Sequence, residues 1–172
     1  MKTKDLIQIS IFAALIAVGA FIRIPTPVCP VTLQILFTTL AGAVGGASVG
    51  AVSVLVYILL GLVGFPVFAG GGGIGYIFQP TFGFLVGMII GSYVTGKICR
   101  GGKSEMKRLI FGCILGLVPV FALGTAYNCF ITSFYMKSQS LLTVIYYCLL
   151  PLPWDVILCV FAAYIAKRIG KI

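Results

Sequence analysis

Asp155 is the residue of this chain best placed to do chemistry: an acid inside an otherwise apolar stretch, two residues after Pro153. A carboxylate there either accepts strong N–H hydrogen bonds from a ligand or caps the helix that starts at the prolines. Few groups can join it in catalysis. The chain has no His, and its only acids are Asp5, Glu105 and Asp155. Paired-carboxylate catalysis, imidazole bases and carboxylate metal cages therefore lack raw material. We expect no enzyme, no catalytic residue, no bound metal and no cofactor. The six cysteines, Cys29, Cys99, Cys113, Cys129, Cys148 and Cys159, form no CxxC pair and read as small packing residues.

The second unusual feature is the stretch Phe65-Pro66-Val67-Phe68-Ala69-Gly70-Gly71-Gly72-Gly73-Ile74-Gly75. Gly70, Gly72 and Gly75 formally match GxGxxG, but no βαβ unit surrounds them and no Gly-Lys-Ser/Thr follows, so a nucleotide site is not expected. Four consecutive glycines instead free the backbone for positive φ and expose its N–H and C=O groups, at an entropic cost that a plain connector does not need. Gln34, Tyr57, Gln79, Tyr127 and Asn128 add donors and acceptors, and Tyr76 and Trp154 add ring surfaces. With Asp155 and the glycine loop, these would make a largely apolar small-molecule pocket with a few placed polar groups.

The elements that must position these groups are membrane helices. The chain is 172 residues long, 60% hydrophobic and 9% charged, which rules out a soluble globule and a disordered chain. Its charges leave uncharged runs at 6–22, 24–96, 109–136, 138–154 and 156–166. Run 6–22 makes the first span and is too long for the apolar core of a signal peptide. Pro25, Pro27, Pro30, Gly42, Gly45, Gly46 and the segment 64–80 divide the long run into spans near 31–45, 47–63 and 82–98. A fifth span runs near 109–134 and a sixth near 153–168, with 140–150 either interfacial or a continuation of the helix. The expected fold is an all-α integral membrane bundle of six transmembrane helices forming one substrate-binding domain, 1–172.

Charge then sets the orientation. Lys2, Lys4, Lys97, Arg100, Lys103, Lys107, Arg108, Lys167, Arg168 and Lys171 fall on one side of this topology, against Arg23 and Lys137 on the other. The positive-inside rule makes the first side, and both termini, cytoplasmic. The net charge of +9 is thus read as contact with the lipid bilayer, with no nucleic-acid partner. Asp155 lies twelve residues before Lys167, about 18 Å along a helix, which places it in the outer half of the membrane. An ionisable residue at that depth usually faces a cavity or a partner. Rows of small residues (Gly42, Gly46 and Gly50; Gly83, Gly87 and Gly91; Gly112 and Gly116) are expected to close the bundle, and Ala13, Ala17 and Ala20 to turn outward toward a partner.

In order along the chain, Pro27-Val28-Cys29-Pro30-Val31-Thr32-Leu33-Gln34, Tyr57, Gly64 to Gly73, Pro80-Thr81-Phe82-Gly83-Phe84 and Pro151-Leu152-Pro153-Trp154-Asp155 closely resemble the BioY family. These are biotin-binding S components of energy-coupling factor (ECF) transporters, and the likeness covers about residues 10–165. The resemblance implies a six-helix S-component fold in the cell membrane, with biotin captured at the outer face. Asp155 and Gly70, Gly71, Gly72 and Gly73 inherit a place in the pocket, and Ala13 and Ala17 a place against a transmembrane coupling (T) subunit. Two ATPase subunits complete the implied assembly and alone use ATP. In biotin terms, Asp155 accepts ureido N–H bonds, Asn128 or loop amides donate to the ureido carbonyl, Phe84, Tyr57 and Trp154 cover the apolar rings, and Gln79 adds a polar contact. Many members carry Lys where Leu158 stands and some an Arg where Leu85 stands. The ligand's carboxylate is therefore expected to look to the loop amides, a helix N-terminus, Arg23 or Lys137. The alternatives are an S component for another vitamin-like metabolite and a ligand-free structural membrane protein.

Overall fold

A computed structural model describes residues 2–24, 30–100, 105–136 and 141–169. Pro25, Pro27, Cys29, Lys103, Lys137 and Lys171 lie outside the described residues. Among the described residues seven α-helices form: α1 (Thr3–Phe21), α2 (Gln34–Gly45), α3 (Ala47–Val63), α4 (Phe82–Cys99), α5 (Met106–Ile131), α6 (Leu141–Leu149) and α7 (Leu152–Ile169). The chain between α1 and α2 carries a two-residue antiparallel ribbon, β1 (Arg23–Ile24) and β2 (Val31–Thr32), with Arg23 opposite Thr32 and Ile24 opposite Val31.

The six expected spans correspond to α1 through α5 and α7. Among the described residues four helical stretches, Thr3–Phe21, Phe82–Cys99, Met106–Phe134 and Leu142–Ile169, are long and apolar enough to cross a membrane. α2 has only 12 residues, about 18 Å, so it cannot cross alone. Residues 31–33, expected to be helical, go into the ribbon and the turn after it. The segment 140–150 resolves into α6, a separate nine-residue helix packed on α5 and ended by Leu150 and Pro151. Pro153 then sits in the first turn of α7, where its missing N–H costs nothing.

The six spans α1 to α5 and α7 alternate in direction, so one end of the bundle gathers Lys2, Lys4, Lys97, Arg100, Lys107, Arg108, Lys167 and Arg168, and the other gathers the ribbon, the glycine loop and the start of α7. The glycine rows bring the helices together along the length of the bundle. An added Cβ on Gly50 would lie 2.7 Å from the Gly42 Cα, and one on Gly87 2.7 Å from the Val120 Cα. Only hydrogen in place of a side chain lets α2, α3, α4 and α5 come so near. Gly46 makes the α2–α3 turn with φ of 84°, its N–H donating to the Gly42 carbonyl at 2.9 Å. Ser92 Oγ donates to the Thr38 carbonyl at 2.9 Å, and the Arg100 guanidinium to the Gly45 carbonyl at 3.1 Å, which ties α4 to α2 at two depths.

Candidate functional site

At the opposite end the bundle opens around a cavity. Gln34 and Ile35 of α2, Phe84, Leu85 and Met88 of α4, Val120 and Phe121 of α5 and Asp155 of α7 form its walls. Thr32, Ala69, Tyr76, Thr81, Pro30 and Pro151 complete the rim, around roughly 570 Å³ of space that is partly open to solvent. The walls are apolar because each helix turns one apolar stripe inward: Phe84 and Met88 are one turn apart on α4, and Leu117 and Phe121 on α5. Phe84 and Phe121 meet edge to face, with ring centroids 5.9 Å apart.

Among the described lining residues Asp155 is the single charged group. Its backbone N–H donates to the Pro151 carbonyl at 2.9 Å, closing the first turn of α7, where the helix dipole favours a carboxylate. The side chain is nevertheless buried, at 5% exposure, in a mostly apolar hollow. The hollow thus has one strong acceptor, together with the weaker hydroxyl donors of Tyr76 and Thr81, whose oxygens are 3.4 Å apart.

Gln34 is held by partners on both sides. Thr32 Oγ1 donates to Gln34 Oε1 at 3.2 Å, Gln34 Nε2 donates to the Tyr57 hydroxyl at 2.9 Å, and that hydroxyl donates to the Val67 carbonyl at 3.1 Å. This relay runs from the ribbon through the cavity wall to the loop between α3 and α4. Gly64 ends α3 with φ of 121°. Phe68 then plugs inward against Gly61, Tyr57 and Tyr76, with the Phe68 and Tyr76 rings 4.4 Å apart. The tetraglycine is a tight turn: Phe68 and Gly71 exchange backbone bonds of 2.9 and 3.1 Å, and Gly71 and Gly73 take φ of 120° and 101°. The Gly73 N–H returns to the Gly61 carbonyl at 2.7 Å. Two long side chains fasten the loop from outside: the Arg23 guanidinium donates to the Ala69 carbonyl and the Tyr127 hydroxyl to the Ile77 carbonyl.

Of the residues singled out from sequence, Asp155, Phe84, Gln34 and Tyr76 line the cavity, and Tyr57 stands one hydrogen bond behind it. Gly70 to Gly73 shape the loop, but the loop residue in the lining is Ala69. Three others lie elsewhere. Trp154 is 43% exposed on a shallow neighbouring groove with Ile22, Arg23 and Leu33. Gln79 is exposed, its backbone closing the turn into α4. Asn128 is fully buried on α5, its Oδ1 accepting from Thr132 Oγ1 at 3.2 Å, outside the lining. The reason is register: Asn128 is seven residues beyond Phe121, two turns further along α5. Thr32 joins the site as well; its signal is a polar residue beside Gln34, just before an apolar run.

The alanine row on α1 packs inward. Ala13 and Ala20 are buried, at 5% and 0% exposure, and Ala17 is half-buried, because small residues let α1 lie close on α2 and α3. The outward strip of the same helix is Ser10, Ala14 and Val18.

Comparison with known proteins agrees with this architecture. A probable biotin transporter BioY of Lysinibacillus sphaericus is 49% identical over 127 residues, which are 73% of this chain and 65% of that relative. The biotin transporter BioY of Thermotoga maritima is 39% identical over 171 residues, 98% of this chain and 97% of the relative. A crystal structure of the S-component for biotin from an ECF-type ABC transporter superposes with a TM-score of 0.82 at 26% identity, covering 100% of this chain and 95% of that one. The BioY family model matches residues 1–172. Matched by the family model along its whole length, this multi-pass membrane protein belongs to the BioY family.

Proposed function

We propose that this chain is the substrate-binding subunit of an ECF-type transporter and that it captures biotin in the cavity under the glycine loop. The observation that carries this reading is the single carboxylate, Asp155, in an otherwise uncharged and mostly apolar hollow. Biotin's bicyclic head is complementary: the ureido ring offers two N–H donors to Asp155, and its carbonyl can accept from the Tyr76 or Thr81 hydroxyl. The thiophane ring and valeryl chain then lie on Phe84, Met88 and Phe121. Charge-assisted bonds in a site shielded from water are the strong kind. The chain binds and does not catalyse.

Transport needs partners, since the chain carries no nucleotide motif. In this reading a transmembrane coupling subunit docks on α1 and two ATPase subunits supply the energy. The coupling subunit meets the outward strip Ser10, Ala14 and Val18, while Ala13, Ala17 and Ala20 hold α1 on the bundle. The basic end faces the cytoplasm and the cavity opens outside the cell membrane.

Calorimetric titration of the purified protein with biotin, beside a panel of other vitamins, tests the substrate. Tight binding of biotin alone supports the reading. Tight binding of a different vitamin would transfer the function to that metabolite, and no binding by folded protein would leave a structural role.

A further inference from the structure

Biotin carries its carboxylate at the far end from its ureido ring, so a head bound at Asp155 sends a second negative charge away toward the rim. No cation lines the walls among the described residues. The basic residues of the helices lie at the opposite end of the bundle, and the one described cation at the cavity end is Arg23.

Three observations fix Arg23 on that rim. In the ribbon it stands directly opposite Thr32, which lines both the cavity and the neighbouring groove that Arg23 itself lines. Directly opposed residues of an antiparallel pair project to the same face. Its guanidinium reaches across to the carbonyl of Ala69, which also lines the cavity. Arg23 therefore sits in the groove beside the mouth and reaches the loop at its edge, and it is exposed, so its charge need not be desolvated before a ligand arrives.

From this geometry we infer that Arg23 is the carboxylate-recognising residue of the site and the clasp of its loop. This rests on the biotin reading above. A guanidinium presents five N–H donors in a planar fork that matches a carboxylate bidentately. The ligand's carboxylate binds beside the Ala69 carbonyl on the remaining N–H donors of the fork, so the same side chain senses the occupant and holds the glycine loop. A ligand with a neutral tail cannot form this pair.

The test compares biotin with biotinamide, whose tail is uncharged, on the full-length protein and on its Arg23→Gln and Arg23→Lys variants, by calorimetry. The wild-type protein is expected to prefer biotin by about tenfold or more, the size of one charge-assisted bond. Arg23→Gln should weaken biotin by a similar factor and leave biotinamide nearly unchanged, so that the preference collapses. Arg23→Lys should keep part of it. An unchanged biotin-to-amide ratio in Arg23→Gln overturns the pairing, as does loss of both ligands by the folded variant, which would assign Arg23 to the loop alone. Wild-type protein that binds biotin and biotinamide equally also overturns it, with the biotin reading intact. Wild-type protein that binds neither removes the biotin reading and the pairing with it.

Discussion

The side-chain amide of Gln34 donates to the hydroxyl of Tyr57 at 2.9 Å, and through that hydroxyl the wall of the cavity is tied to the loop above it. Both side chains are buried, at 4% and 1% exposure, so each polar atom depends on the other. Tyr57→Phe would strand the Gln34 amide and the Val67 carbonyl while keeping the ring against Phe68. A loss of about 1–3 kcal/mol is expected for such unmet buried groups. Thermal unfolding in detergent measures it, and an unchanged midpoint would mean that the relay contributes nothing.

Asp155 carries the sharpest functional prediction. Asp155→Asn keeps the shape and removes the charge, and its amide offers N–H groups where the ligand's own donors should point. Biotin affinity should fall about ten- to a hundredfold, as expected for a lost charge-assisted bond, while the helical content stays the same. Full affinity in the variant would return Asp155 to a purely structural role at the start of α7.

Packing at the glycines separates tight positions from open ones. At Gly50 an added Cβ meets the backbone of Gly42, with its amide nitrogen at 2.9 Å, and backbone cannot step aside. At Gly75 nothing lies within 4 Å. Gly50→Ala should cost about 1–3 kcal/mol by overpacking, whereas Gly75→Ala should stay within about 0.5 kcal/mol. Equal melting temperatures for the two variants would contradict the close approach of α2 and α3.

The two faces of α1 should respond differently to bulk. Ala14→Trp leaves the bundle and ligand binding intact but abolishes uptake in cells that supply the partner subunits. Ala13→Trp forces an indole into the core beside Ile16 and lowers the yield of folded protein. If Ala14→Trp transports normally, docking does not use this strip.

How far sequence reasoning reached follows from what each residue's position depends on. The bundle was legible because long uncharged runs and clustered Lys and Arg residues report on water and lipid directly. Asp155 was legible for the same reason, as a charge where charge is costly. Phe84 was found through the likeness to a family motif. Asn128, two turns beyond Phe121, shares its face of α5 but lies about 10 Å further along, and a polar residue inside an apolar run does not report how far along its helix a cavity extends. The alanines of α1 failed for a related reason: smoothness shows that something comes close and does not say which neighbour. The ribbon that brings Arg23 opposite Thr32 has two residues per strand, too few for any periodic signal.

The crossing of α2, α3 and α4 at Gly42, Gly50 and Ser92 leaves the bundle as a cup with a sealed floor. Backbones in van der Waals contact cannot part to make a channel without breaking the packing that defines the fold. Nothing held at the rim can drain through the bottom, so a bound molecule departs by the mouth it entered. In the transport reading proposed above, the ligand then reaches the far side by a turn of the whole bundle, a movement suited to a body whose helices are this tightly joined.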